Sequence, residues 1–193
     1  MINTSIFLIA FLGTIVFILK GIVKVEDNEQ AVIERFGRFN RILKPGVHFI
    51  MPVAERLRGI EAPYNHKRFL NSKKISLSPG IMPFPKDDRT FFASNNEQFK
   101  IKCNVLYQIT DPYKAVYEVA FLFDALNQLI AGIIQKRLIE NQEQISELEK
   151  IKNIFSQLLE TANEYSKNWG VLIKEFQLKQ IIDSNGIRHN IEE

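Results

Sequence analysis

Between Ile6 and Leu19 the chain reads IFLIAFLGTIVFIL, a charge-free stretch interrupted only by Gly13 and Thr14. Ile6, Phe7, Leu8, Ile9, Phe11 and Leu12 precede that pair, and Ile15, Val16, Phe17, Ile18 and Leu19 follow it. On a helix these side chains point in every direction, so no face is left for water and the ordinary amphipathic surface helix is excluded. Crossing ~30 Å of hydrocarbon takes roughly 20 helical residues. Ile2 to Val23 supply that length if Lys20 snorkels to the headgroups. Residues 1–24 are therefore expected to form a single-pass membrane anchor. A cleaved secretory signal fits less well, because Met1 to Ser5 carries no Lys or Arg. Lys20 and Lys24 also stand where small residues should mark a cleavage site. With positive charge only on that flank, the positive-inside tendency favours the cytoplasm for everything after the anchor.

The remainder has the length of one domain. Lys and Arg total 25 against 22 for Asp and Glu, a formal net charge of +3 with no basic run and no stacking-aromatic motif, which argues against a nucleic-acid partner. The single cysteine, Cys103, excludes an intramolecular disulfide framework. Val32, Ile33 and Phe36 within Gln30 to Phe36 suggest a strand ended by a turn at Gly37. Lys44-Pro45-Gly46 is a second turn signal, before a strand over Val47 to Pro52. Asn71 to Ser94 reads as a long loop or inserted hairpin, with Pro residues scattered among Ile81, Met82, Phe84, Phe91 and Phe92. Those five side chains either form a partner surface or pack on their own domain.

Phe99 to Ile109 alternates apolar and mostly polar residues with period two, the mark of a half-buried strand, and this puts Cys103 on the apolar face as an inert thiol. Asp111-Pro112 ends it, and helical patterns follow over Tyr113 to Val119 and Leu122 to Ile139. A third helix is announced by a capping box, Ser146 with Glu149, and by apolar residues from Leu148 through Ile151, Phe155, Leu158 and Ala162 to Tyr165. Trp169-Gly170 supplies its C-terminal cap, and Val171 to Leu178 returns to strand. Strands, then helices, then a last strand predict an α+β domain, a partly antiparallel sheet with helices packed on one side.

Nothing in this pattern carries catalysis. His48, His66 and His189 are far apart, and there is no metal-binding HExxH pair, nucleophile elbow, phosphate loop or dinucleotide fingerprint. Glu140, Glu143, Glu147 and Glu149 fit a solvated helix connection better than a metal or acid–base site. No catalytic residue, metal or cofactor is expected.

Four segments in order carry a resemblance: EQAVIERFGRF with LKPGVHFIMP, then NNEQFKIKCNVLYQITDPYKAVYEV, QKRLIENQEQISELEKI and NWGVLIKEFQLKQI. Together they resemble the SPFH domain, the band-seven family of stomatin, prohibitin, flotillin and HflK/HflC, over residues 25–183. The resemblance implies a non-enzymatic scaffold that associates side by side at membranes, as a homo- or hetero-oligomer of SPFH proteins. It also implies regulation of a membrane protease or channel. In that family the first part of the domain lies against the bilayer. Carried over, this nominates Val47, Phe49, Ile50 and Met51 as membrane contacts, with Arg38, Arg41 and Lys44 attracted to anionic headgroups; simple strand core is the alternative. Relatives commonly continue into a long coiled coil, of which residues 184–193 would be the start. Because the chain stops at Glu193, a large closed ring is less expected than for them, and a short accessory subunit or inhibitor that joins larger relatives is the alternative function. A membrane-tethered hydrolase ranks third.

Overall fold

The computed structural model describes residues 2–60, 73–93, 98–140, 148–182 and 188–190. The side chains of residues 2–5, 148–154, 156, 189 and 190 are excepted. The chain forms two compact units, the first made of Met1–Gly59 with Lys73–Ser76 and the second of Ile60–Ser72 with Leu77–Glu193.

The first unit opens with helix α1 (Ile2–Gly21), 20 residues and so ~30 Å long, whose large apolar side chains from Ile6 to Leu19 are all exposed. Among the described residues no helix is long and apolar enough to cross a membrane. For α1 the described side chains begin only at Ile6. Helix α1 ends at Gly21. Ile22, Val23 and Val25 are β-branched and belong to strand β1 (Ile22–Val25), which pairs antiparallel with β4 (Gly46–Phe49) in a two-stranded ribbon.

Strand β2 (Glu29–Arg35) is the centre of a second antiparallel sheet, flanked by β3 (Arg38–Leu43) and β5 (Glu55–Arg58) and extended by β6 (Ile75–Ser76). Arg35 faces Arg38, so β2 and β3 are joined by Phe36-Gly37 alone. Both take positive φ, 51° and 79°, as a tight type I′ hairpin requires. Val25, Ala31, Ile33, Leu43 and Ile50 form the core of this unit. Val32 and Glu34 are buried as well, so both faces of β2 are covered. The Glu34 carboxylate is matched by Arg56 at 2.8 Å across the β2–β5 pair.

In the second unit β7 (Gly80–Phe84), β9 (Gln98–Ile109), β10 (Val171–Ile182) and β11 (Arg188–Asn190) lie side by side, with β8 (Phe91–Phe92) also on β9; every pairing is antiparallel. Phe99, Ile101, Cys103, Val105, Tyr107 and Ile109 all point inward, as their period-two spacing predicts. In β10 the apolar residues do not keep strict alternation. Register shifts between Ile173 and Glu175 and between Leu178 and Gln180 restore the phase, setting Phe176 opposite Val105 and Ile181 opposite Ile101.

Asp111 caps the short helix α2 (Pro112–Tyr117), its carboxylate accepting from the Tyr113 and Lys114 amides at 3.0 and 3.2 Å. Helix α3 (Leu122–Glu140) sets the Phe123 ring edge-on against Tyr107, 5.2 Å between centroids. Helix α4 (Leu148–Ser166) sets Phe155 against Phe176 at 6.0 Å. Both helices therefore meet the same face of the sheet. Burying Leu126, Ile130, Ile134 and Leu158 there is worth roughly 1.5–3 kcal/mol each. The stripe read for α4 is inward at Phe155, Leu158 and Ala162, while Tyr165 is exposed. Its capping-box residue Ser146 lies outside the described residues.

Gly170 closes the 3₁₀ turn Lys167–Trp169 in the left-handed conformation, φ 68°. A side chain there would strike Asp111 and Lys114. The Gly170 carbonyl accepts from the Thr110 amide at 2.8 Å, tying the turn to the end of β9. Within residues 184–193, read as the start of a coiled coil, the described Arg188–Asn190 is strand β11, not helix; the rest lies outside the described residues.

Candidate functional site

Helix α1 passes into β1 without a linker, and β4 folds back beside the junction. The Ile50 amide donates to the Gly21 carbonyl at 2.8 Å. A side chain at Gly21 would meet the Phe49 ring and the Ile50 carbonyl, so only glycine admits this approach. In the ribbon, Ile22 faces Phe49 and Lys24 faces Val47. Directly opposed residues share a face, and here that face is the exposed one. Val23 and His48, one step along, turn toward the protein, and His48 Nε2 donates to the Lys44 carbonyl at 2.7 Å.

Beyond β4 the alternation continues. Ile50 is 6% exposed and belongs to the core, whereas Val47, Phe49 and Met51 are 72%, 50% and 45% exposed. The four residues read as one patch thus divide: three form an outward strip, and Ile50 anchors it from below.

The strip is held by a buried carboxylate. Glu55 accepts from Asn40 Nδ2 at 2.7 Å, from Arg41 at 3.1 Å and from the Met51 amide at 3.1 Å. Arg41 also donates to the Phe49 carbonyl at 3.1 Å. Arg41 is therefore a positioning residue for the strip. The bonds are charge-assisted, which makes them stronger than neutral ones.

Two more exposed apolar residues lie nearby: Val53, which the sequence pattern does not single out, and Phe36, expected from that pattern to end a strand but placed by the structure in the turn after Arg35. Val53, 83% exposed, sits in the turn that follows Met51. Phe36, 78% exposed, caps the β2–β3 hairpin, and its amide donates to the Ala54 carbonyl at 3.0 Å, placing it beside that turn. A bulky residue at positive φ carries strain, and the signal for it was the Phe36-Gly37 pair in a loop with no room for other residues.

The other candidate surface resolves differently. Ile81, Met82 and Phe84 are in β7 and Phe91 and Phe92 in β8, so much of this segment is strand. Met82, Phe84 and Phe91 are core, with the Phe84 and Phe91 rings 6.3 Å apart; only Ile81 and Phe92 face outward. Gln135 of α3 grips the β8 backbone, donating to the Phe92 carbonyl at 2.7 Å and accepting from its amide at 3.2 Å.

Burial pushes the Cys103 thiol up to about 12, so the thiolate a nucleophile needs is suppressed. Among the described residues, no three His, Cys, Asp or Glu side chains gather as a metal site requires. His66, Glu143 and Glu147 lie outside the described residues, as do the side chains of Glu149 and His189.

The family model described as SPFH domain / Band 7 family matches residues 23–193. The chain is 26% identical over 162 residues to stomatin-like protein 2, mitochondrial, of Rattus norvegicus, covering 83% of this chain and 40% of that one. It is 24% identical over 174 residues to an uncharacterised protein of Methanothermobacter thermautotrophicus, covering 90% and 49%. An uncharacterised protein of Mycobacterium tuberculosis is 22% identical over 186 residues, covering 92% and 42%. The chain thus spans about half the length of these relatives or less.

Proposed function

The chain belongs to the SPFH domain / Band 7 family, and from that premise we propose that it is a non-enzymatic scaffold seated on a bilayer. In this reading α1 enters the membrane as a single-pass anchor, with the remaining chain on the cytoplasmic side in keeping with Lys20 and Lys24. Val47, Phe49 and Met51 rest at the same bilayer surface, and the chain self-associates to organise or regulate membrane proteins such as proteases or channels. The observation that carries the membrane part is the exposed face of Ile22, Val47 and Phe49 directly at the end of an apolar helix. A helix leaving lipid through Gly21 delivers that face at headgroup depth, where burial of each large apolar side chain is worth up to about 1.5–3 kcal/mol. The side-by-side association rests on the family alone.

Flotation with phosphatidylcholine vesicles tests the attachment. The full chain should float. A chain lacking residues 1–21 should float weakly, and less again with V47S/F49S/M51S; unchanged flotation of the truncated triple variant would remove the strip from the reading. Mass photometry of detergent-extracted protein tests the scaffold, with species larger than dimers expected and a monodisperse monomer or dimer counting against it.

A further inference from the structure

The second unit holds a cleft that the proposed function leaves unused. It has a volume of about 590 Å³ and opens between the β7–β8 turn and the adjoining parts of β9 and β10. Lys86, Arg89, Lys100, Lys102 and Lys179 line it, against Asp87 and Asp88. Five cations stand against two lining carboxylates, and with Asp124, which pairs with Lys86 from α3, the local excess is about two positive charges. Cations thus outnumber carboxylates along this concavity, and a concave surface with an excess of one sign draws in counter-charge.

The fold places these cations for a reason that can be traced. Lys100 and Lys102 alternate along β9 with the buried Ile101 and Cys103, so they share a side of the strand. Lys179 lies at the register shift between Leu178 and Gln180, and Gln180 stands opposite Lys102, so the bulge brings a third ammonium to the same stretch of sheet. Lys86 and Arg89 have partners on α3, Asp124 at 3.3 Å and Gln128 at 3.4 Å, which fix the turn forming the far wall.

Asp88 projects from that turn into the cationic group. Its carboxylate accepts from Lys100 Nζ at 2.8 Å. That bond, with the charges of Lys100 and Lys102, holds its pKa below the ordinary carboxylate range. Yet the Asp88 side chain is 73% exposed, and a solvent-screened ion pair of this kind contributes little and exchanges readily. A phosphate group offers more negative charge and three acceptor oxygens to the same donors.

We propose that this cleft is a site for a phosphate-bearing anion, gripped by Lys100, Lys102 and Lys179 in competition with the Asp88 carboxylate. The anion is either a soluble phosphate compound or a phosphorylated lipid headgroup; the recognition chemistry is common to both.

The test uses the full chain in phosphatidylcholine nanodiscs, with pyrophosphate titrated calorimetrically at low ionic strength. Saturable binding is expected. K102E/K179E should weaken it by about tenfold or more, whereas K174E, on the same strand outside the cleft, should change it less than about twofold. D88N should tighten binding several-fold, because it removes the internal competitor. Absence of saturable binding to the wild-type chain, equal weakening by K174E, or weaker binding by D88N each overturns the proposal. Repeating the titration in nanodiscs containing phosphatidylinositol 4-phosphate identifies the source. Reduced pyrophosphate affinity there supports a lipid headgroup in the cleft, and unchanged affinity supports a soluble ligand.

Discussion

The β1–β4 ribbon of the first unit and the β7–β8 segment of the second are built from the same material, short apolar strands punctuated by Pro and Gly, yet they end in opposite environments. Phe91 is 1% exposed and Phe49 is 50% exposed. The difference lies in their neighbours. β7 and β8 both pair with the long strand β9, and α3 reaches β8 through Gln135. Among the described residues β4 pairs only with β1. A two-stranded ribbon has too few neighbours to bury both faces, and among the described residues the face of Ile22, Val47 and Phe49 is exposed.

The sharpest way to break this comparison is to truncate both aromatics. Phe91→Ala should destabilise by about 3–5 kcal/mol through the cavity it leaves. Phe49→Ala should lose about 1 kcal/mol or less, as exposed positions do. Urea titrations followed by circular dichroism measure both, and equal losses would mean that the ribbon face is packed after all. Next in size is Glu55→Gln. It weakens charge-assisted bonds to Arg41 and the Met51 amide and should cost about 1–2 kcal/mol. Faster hydrogen exchange at the Met51 amide should accompany it, with β8 unaffected. Gln135→Ala should cost about 1 kcal/mol and expose the Phe92 amide to exchange, with no effect on the ribbon.

Cys103 and Tyr107 also give the second unit a dependence of stability on alkaline pH. Burial raises the Cys103 thiol and the Tyr107 phenol to about 12 each, from ordinary values of 9.0 and 10.0. The unfolded chain releases those protons first, so their contribution to stability is complete below pH 9 and is lost as pH climbs toward 12. Cys103→Ser should remove the lower part of that loss. Alkylation of Cys103 in the folded protein should be slow at pH 8 and speed up only with denaturant.

Much of the second unit was legible because its periodicities are long. Over Phe99 to Ile109 the alternation of apolar residues already states which side of β9 faces inward, including Cys103. Leu122–Glu140 and Leu148–Ser166 likewise match the helical spacings. Short elements were harder. Residues 47–51 have the composition of a strand but too few turns of the pattern to show that His48 and Ile50 point inward while Val47, Phe49 and Met51 do not; the Ile22–Phe49 register decides that. Met82, Phe84 and Phe91 could not be told from a partner surface, since their cover comes from β9, close in space but separated from them by part of the chain. The cationic cleft was invisible for the same reason. Lys102 and Lys179 are 77 residues apart, and only the β9–β10 pairing brings their strands together.

The sequence by itself determined what each segment is: an apolar N-terminal helix, alternating strands, amphipathic helices and a glycine turn at Gly170. These follow from side-chain size, charge and φ preference acting within a few residues. Only the tertiary structure decided which apolar residues are left uncovered, how Glu55 and Arg41 hold them, and where the positive charge collects. Each of those depends on a neighbour supplied by a remote part of the chain, and local chemistry carries no record of which neighbour that will be.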